Sequence, residues 1–157
     1  MIDNLDWKNP DYGAVFQHRI QALARIRANP ECVPELKRYY RDHEADFISD
    51  WGCTFDPRLV ERGLPALIPF VLFPKQREFI DKVKEKWREG RPLLGEKSRD
   101  CGISYTCVAL ACTLGLNYDG FSAGFGSRKA EYVDKSGQPK SLFYKARVFM
   151  RNIPVEF

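Results

Sequence analysis

No stretch of this sequence approaches the roughly 18 consecutive apolar residues that a helix needs to cross a lipid bilayer. The N-terminal sequence MIDNLDWKNPDYG is acidic and polar, and it lacks the apolar stretch of a secretory signal peptide. These two absences argue against a membrane-spanning or secreted protein. The sequence therefore predicts a cytosolic protein with no membrane partner.

Paired cysteine motifs are also missing. The five cysteines include no CxxC pair, and an odd number of thiols cannot pair completely within one chain. This pattern argues against both a disulfide framework and a zinc knuckle. We expect all five thiols to be reduced, and only Cys101 lies near residues that carry chemistry.

The composition is that of a globular domain. The chain has 157 residues, of which 44% are hydrophobic and 29% are charged, so it can bury a sizeable core. The net charge of +4 permits contact with nucleic acid but does not demonstrate it.

Residues 1–60 are predicted to form a helical N-terminal segment. One helix spans residues 13–28, ends at Asn29-Pro30, and has one apolar face that carries Phe16, Ile20, Leu23 and Ala24. A second helix begins at Val33-Pro34, ends at Gly52, and carries inward Leu36, Tyr40, Phe47 and Trp51. The segment CTFDPRLVERGLP that follows is expected to be a connection.

Residues 61–157 show a different pattern. Helices are predicted at 74–89, 103–116 and 140–152, with two short strand candidates between them, PLLGEK (92–97) and FSAGFG (121–126). Helices that alternate with short strands are typical of a doubly wound α/β fold. The predicted fold class is therefore α/β, a partial doubly wound sheet of the P-loop NTPase type that follows a helical N-terminal segment.

The segment Lys97–Ser104 (KSRDCGIS) has part of a phosphate-binding pattern. A P-loop reads GxxxxGK(S/T) between a strand and a helix. Gly102 and Ser104 match the last glycine and the hydroxyl, but Ile103 takes the usual lysine position and Lys97 stands at the start. On spacing alone, a turn with an N-capping serine is the more frequent explanation.

A second signal lies one helix upstream, in Phe73-Pro74-Lys75-Gln76. A glutamine amide can donate to and accept from the edge of adenine, and an adjacent aromatic ring can cover the base. Taken singly, Gln76 also fits an exposed first-turn residue, and Phe73 fits a core aromatic. The pair close to a phosphate loop favours a nucleotide site.

Three stretches in this order resemble the ATPase domain of phage terminase large subunits, the motors that pump DNA into viral capsids. They are LFPKQREFIDKV, EKSRDCGIS and GFGSRKAEYVDKSGQPKSLFYKAR. Some members of that family carry the lysine at the start of the Walker A loop and a non-basic residue at its usual position, as KSRDCGIS does. The resemblance covers roughly residues 47–150.

The resemblance implies a site for ATP and Mg²⁺. Gln76 is then the adenine-contacting glutamine with Phe73 beside the base, Lys97 binds the phosphates, and Ser104 is a magnesium ligand. Arg99 contacts phosphate or senses the nucleotide. The rest of the loop consists of Ser98, Asp100, Cys101, Gly102 and Ile103.

The resemblance also implies a role for Arg128, which follows the second strand candidate. In the family an arginine there can act catalytically at a subunit boundary. A surface arginine fits the sequence equally well.

A complete terminase carries a Walker B strand that ends in Asp-Glu, and a nuclease domain, and neither is found here. Residues 61–157 are therefore expected to be an incomplete P-loop ATPase domain from the front part of a longer protein. That protein would work as a homo-oligomeric ring in the cytoplasm of the bacterial host. Its partners would be double-stranded DNA, the portal protein and the small terminase subunit.

Two other functions stay open. One is a fragment of a helicase-like P-loop motor, since the glutamine motif is shared with helicases. The other is a non-catalytic module that docks onto a portal or a small terminase subunit. The basic residues near the end of the chain fit a DNA-facing surface or, as we favour, a solvated helix face: Lys129, Lys135, Lys140, Lys145, Arg147 and Arg151.

Overall fold

The computed structural model describes residues 6–157. Its α-helices are α1 (Tyr12–Ala28), α2 (Val33–Asp42), α3 (Glu44–Trp51), α4 (Pro74–Arg88), α5 (Ile103–Asn117), α6 (Ala130–Val133) and α7 (Leu142–Arg151). Two strands, β1 (Cys53–Phe55) and β2 (Leu67–Pro69), pair in the antiparallel sense with Thr54 opposite Ile68. In the described part of the chain, no helix has both the length and the apolar character to span a membrane.

The predicted doubly wound parallel sheet is wrong. Within residues 6–157 the fold is mostly helical, and its only sheet is the two-stranded β1–β2 pair. The strand candidates 92–97 and 121–126 pair with no strand of this part of the chain. Gly95 lies within the first segment and Gly124 within the second, and glycine inside a strand weakens it. Helix α5 instead packs on other helices, mainly α7 and α3.

Helix α1 is confirmed, but most of its predicted apolar face is exposed. Val15 and Ile26 are buried, whereas Phe16 and Ile20 are 39% and 67% exposed. The reason is Arg19, whose buried guanidinium donates to carbonyl oxygens at the C-terminal end of α3. These bonds turn the Arg19 side of α1 inward, and hydrophobic periodicity does not predict such a polar anchor.

The predicted second helix is two helices, because the chain breaks at His43 between α2 and α3. Glu44 follows the break and points inward, with its carboxylate 2.5 Å from the ammonium of Lys84 on α4. The inward positions Tyr40, Phe47 and Trp51 are buried as predicted.

One hydrophobic core contains residues from both sides of residue 60. Four core residues on three helices are almost completely buried: Phe47 and Ile48 of α3, Ile80 of α4 and Phe149 of α7. They belong to the same cluster as the inner side of α5, whose Ala109 is fully buried. Helix α5 is apolar on nearly all sides because other helices pack around it. The same packing fixes the position of its N-terminus.

All five cysteines are free thiols, as predicted. Burial raises the pKa of Cys112 to about 11 and raises that of Cys107 as well. Both residues therefore act as small apolar groups on α5.

Candidate functional site

The candidate site begins at the backbone turn before α5. Gly102 is the N-cap of α5 and has a φ of +74°, in the left-handed region that favours glycine. A Cβ atom at this position would lie 2.7 Å from Nε2 of Gln76, so a larger residue would have to displace the Gln76 amide. Asp100 also has a positive φ, of 62°. The predicted loop glycine therefore stands where the backbone requires one.

Gln76 connects the two sequence motifs. Its side chain is buried, and its Oε1 accepts a hydrogen bond of 2.9 Å from the amide of Phe73 at the start of α4. Its Nε2 donates to the carbonyl oxygen of Cys101 at 3.0 Å. Gln76 thus anchors the loop to α4, and its contact with adenine stays a prediction.

The N-terminus of α5 has free backbone donors. The amides of Tyr105 and Thr106 bond to the carbonyl oxygen of Gly102, at 2.9 and 3.0 Å. The N-cap glycine supplies no side-chain acceptor, and the amides of Ile103 and Ser104 donate to no residue in the described part of the chain. Such an end carries a partial positive charge and attracts anions.

This end of α5 opens into a cleft of about 640 Å³, within the size range of small-molecule sites. The loop contributes Lys97, Asp100, Gly102, Ile103 and Ser104 to its lining. The remaining lining comes from β1 and the turn after it, from Tyr105 on α5, and from the segment that leads into α7. These residues are Thr54, Phe55, Asp56, Pro57, Arg58, Tyr105, Gln138, Pro139, Lys140 and Lys145.

The cleft has more positive than negative charge. Four basic and two acidic residues line it, and both acids lie near Arg58. Arg58 bonds to Asp56 at 2.7 Å and lies 4.0 Å from Asp100. The bond to Arg58 holds the pKa of Asp56 below its usual value. Within residues 6–157, neither Lys97 nor Lys140 forms an ion pair or a side-chain hydrogen bond, so their charges remain available to a ligand.

The other predicted loop residues lie beside the cleft lining. Ser98 and Arg99 are exposed. Cys101 is half-buried, and its Sγ donates to the carbonyl oxygen of Ser98 at 3.2 Å. This thiol stabilises the turn of the loop rather than facing the cleft.

Phe73 and Arg128 lie outside the cleft lining as well. Phe73 is 41% exposed, and its ring lies 5.3 Å from that of Trp7. The exposed guanidinium of Arg128 lies 5.4 Å from the ring of Tyr132 on α6. The structure therefore brings Gln76 to the loop, but it does not bring Phe73 or Arg128 into the cleft.

Sequence reasoning missed the part of the lining that comes from residues 54–58 and 138–145. The sequence predicts a connection for the first segment, because three-residue strands have no detectable periodicity. Lys140 and Lys145 belong to a run of basic residues in the sequence, and nothing in their spacing indicates that they lie near the loop. Within the described residues, no cluster of three or more acidic, histidine or cysteine side chains forms a metal site.

No protein-family profile, curated protein or solved structure matches this chain. A functional interpretation therefore has to come from the cleft and from the sequence motifs around it.

Proposed function

We propose that this chain binds the phosphates of ATP in the cleft at the N-terminus of α5, as the nucleotide-binding part of a viral DNA-packaging motor. One observation carries the proposal: the KSRDCGIS loop and the uncapped end of α5 line a cleft with an excess of positive charge. A helix N-terminus whose amides lack an acceptor in the described part of the chain, beside lysines without ion pairs, is suited to a polyphosphate.

Each part of the loop has a distinct role in this proposal. The amides of Ile103 and Ser104 donate to phosphate oxygens, and Lys97 neutralises their charge from the start of the loop. Lys97 replaces the absent lysine at position 103, since both positions line the same cleft. The Ser104 hydroxyl supplies one ligand to a Mg²⁺ ion that arrives with the phosphates. Gln76 keeps the loop attached to α4.

The motor assignment is supported by the three sequence stretches that resemble terminase large subunits. On this proposal the protein works in the cytoplasm of the bacterial host as a ring, with double-stranded DNA, the portal protein and the small terminase subunit as partners. Arg128 would then act across a subunit boundary, which fits its exposure outside the cleft.

Calorimetric titration of the chain with Mg-ATP tests the proposal. We expect Lys97→Ala to weaken binding by roughly tenfold to 150-fold, because the lost charge-assisted contact is worth roughly 1.5–3 kcal/mol. Lys82→Ala is the matched control, because Lys82 is an exposed lysine of α4 that pairs with Glu85 away from the cleft.

Equal affinities for the Lys97→Ala and Lys82→Ala variants would contradict the proposed role of Lys97. A chain that binds no ATP at all, while it remains folded, would overturn the nucleotide proposal and favour the docking-module alternative.

A further inference from the structure

The cleft contains a polar group without a partner in the free protein. Tyr105, in the first turn of α5, lines the cleft although it is only 7% exposed. Its ring packs edge-on against Phe70 at 5.5 Å, and its hydroxyl has no hydrogen-bond partner of good geometry within residues 6–157. Burial raises the pKa of the hydroxyl, and weak interactions with the Thr54 side chain and the Phe55 backbone offset only part of that increase.

An unpartnered buried hydroxyl is uncommon, because water bonds lost on burial are normally replaced. Its place in a basic cleft indicates what kind of partner is missing. Phosphate oxygens are strong acceptors and carry the charge that the cleft lining complements.

Two lysines outside the loop share this cleft with Tyr105. Lys145 is half-buried, and its ammonium donates to the carbonyl oxygens of Pro139 at 2.8 Å and of Ser141 at 3.5 Å. An ammonium has three N–H groups, so one remains for a further acceptor. Burial lowers the pKa of Lys145, which an anionic partner would reverse. Lys140 is exposed at the cleft and forms no ion pair within the described residues.

We propose that Tyr105, Lys140 and Lys145 form a second anion subsite, which holds the part of a nucleotide's phosphate chain that Lys97 does not neutralise. The inference rests on the proposed function, because it places the same nucleotide in the cleft. Tyr105 lines the cleft together with both lysines, so a phosphate group bound there can accept a hydrogen bond from its hydroxyl. The subsite makes affinity depend on the number of phosphates, so that ATP binds more tightly than ADP.

The test compares Tyr105→Phe and Lys140→Ala in titrations with ATP, ADP and inorganic tripolyphosphate. Each variant should weaken binding of ATP and of tripolyphosphate by roughly tenfold to 150-fold, the range of one lost hydrogen bond to a charged group. Both should reduce the preference for ATP over ADP. Lys135→Ala is the control, because Lys135 lies in the same segment but outside the cleft lining and should bind all ligands normally.

The melting temperature of the ligand-free Tyr105→Phe variant separates binding from a structural role. Phe lacks only the hydroxyl, and that hydroxyl has no hydrogen bond of good geometry in the free protein. The variant should therefore melt at the same or a higher temperature than the parent chain. A clear decrease would show that the hydroxyl stabilises the fold and would contradict the subsite.

The remaining outcomes distinguish this inference from the proposed function. If Lys97→Ala weakens ATP binding but Tyr105→Phe and Lys140→Ala do not, the subsite is overturned and the nucleotide site stands. If the parent chain binds neither ATP nor tripolyphosphate, both are overturned. If tripolyphosphate binds as tightly as ATP and the same variants weaken it, the subsite is supported and its ligand is a free polyphosphate.

Discussion

At the scale of single residues, the candidate site depends on the contact between Gln76 and the loop. The Gln76 amide lies under Gly102 and bonds to the carbonyl oxygen of Cys101. A side chain at position 102 would displace this amide, and it would also force an L-residue into a left-handed conformation. Steric contact with Gln76 and backbone conformation therefore both favour glycine at position 102.

A comparison with Gly120 separates the cost of the backbone conformation from the cost of the steric contact. Its φ of +73° matches the +74° of Gly102, but no atom lies within 4 Å of a Cβ built on it. Gly120→Ala should cost only the conformational strain, roughly 1–2 kcal/mol of unfolding free energy. Gly102→Ala should cost more in urea unfolding, and it should also weaken ATP binding. Equal costs and unchanged ATP binding would show that Gln76 does not position the loop.

At the scale of helices, α3 and α4 are joined by a buried ion pair. Glu44 and Lys84 are 2.5 Å apart, with side chains only 1% and 7% exposed. Lys84 also donates to the carbonyl oxygen of Arg41 at 3.2 Å, whereas Oε1 of Glu44 has no hydrogen-bond partner within residues 6–157. Burial raises the pKa of Glu44, so its charged form depends on Lys84.

Lys84→Met should destabilise the chain by about 3–5 kcal/mol, because it leaves a buried carboxylate without its cation. The pKa of Glu44 in the folded state would rise further above its value in the unfolded chain. The folded state then binds more protons, so the unfolding free energy should fall as pH rises from about 5 to about 8. Urea unfolding at both pH values measures this change.

The exposed pair Lys82–Glu85 on α4 provides the control, and Lys82→Met should cost about 0–1 kcal/mol with little dependence on pH. Adding Glu44→Leu to Lys84→Met should recover much of the lost stability. A Lys84→Met variant as stable as Lys82→Met would show that the buried pair contributes nothing to the packing of α3 on α4.

Most helices were predictable from the sequence, whereas the sheet was not. Apolar periodicity with proline and glycine at the ends predicted α1, α4, α5 and α7 to within a few residues. The strand candidates 92–97 and 121–126 are short segments between helices, but a strand needs a neighbour to pair with, and residues 6–157 supply none. The real strands pair across twelve or more positions, and a local pattern does not reveal such pairing.

The candidate site was predictable only where it is continuous in sequence. Lys97, Gly102 and Ser104 stand out because they match a spaced motif, and all three line the cleft. Tyr105 and Lys145 join them only through the packing of α5 against α7 and β1. Long-range packing of this kind brings together residues whose types and spacing carry no signal of their own.

At the scale of the whole molecule, one helical core positions the cleft. Helix α5 packs on α3, α4 and α7, and its N-terminus is the only part of it that reaches the cleft. The loop is anchored to α4 through Gln76. The phosphate site proposed here therefore needs no parallel sheet, because packing among helices fixes the uncapped end of α5.

The central claim is that ATP phosphates bind at that end, and mapping of amide NMR shifts during titration with Mg-ATP tests it most directly. The largest shifts should occur in the amides of residues 98–105, with smaller changes around Lys140, and Lys97→Ala should strongly reduce them at an ATP concentration near the Kd of the parent chain. Shifts confined to other surfaces, or no shifts at saturating ATP in a folded chain, would contradict it.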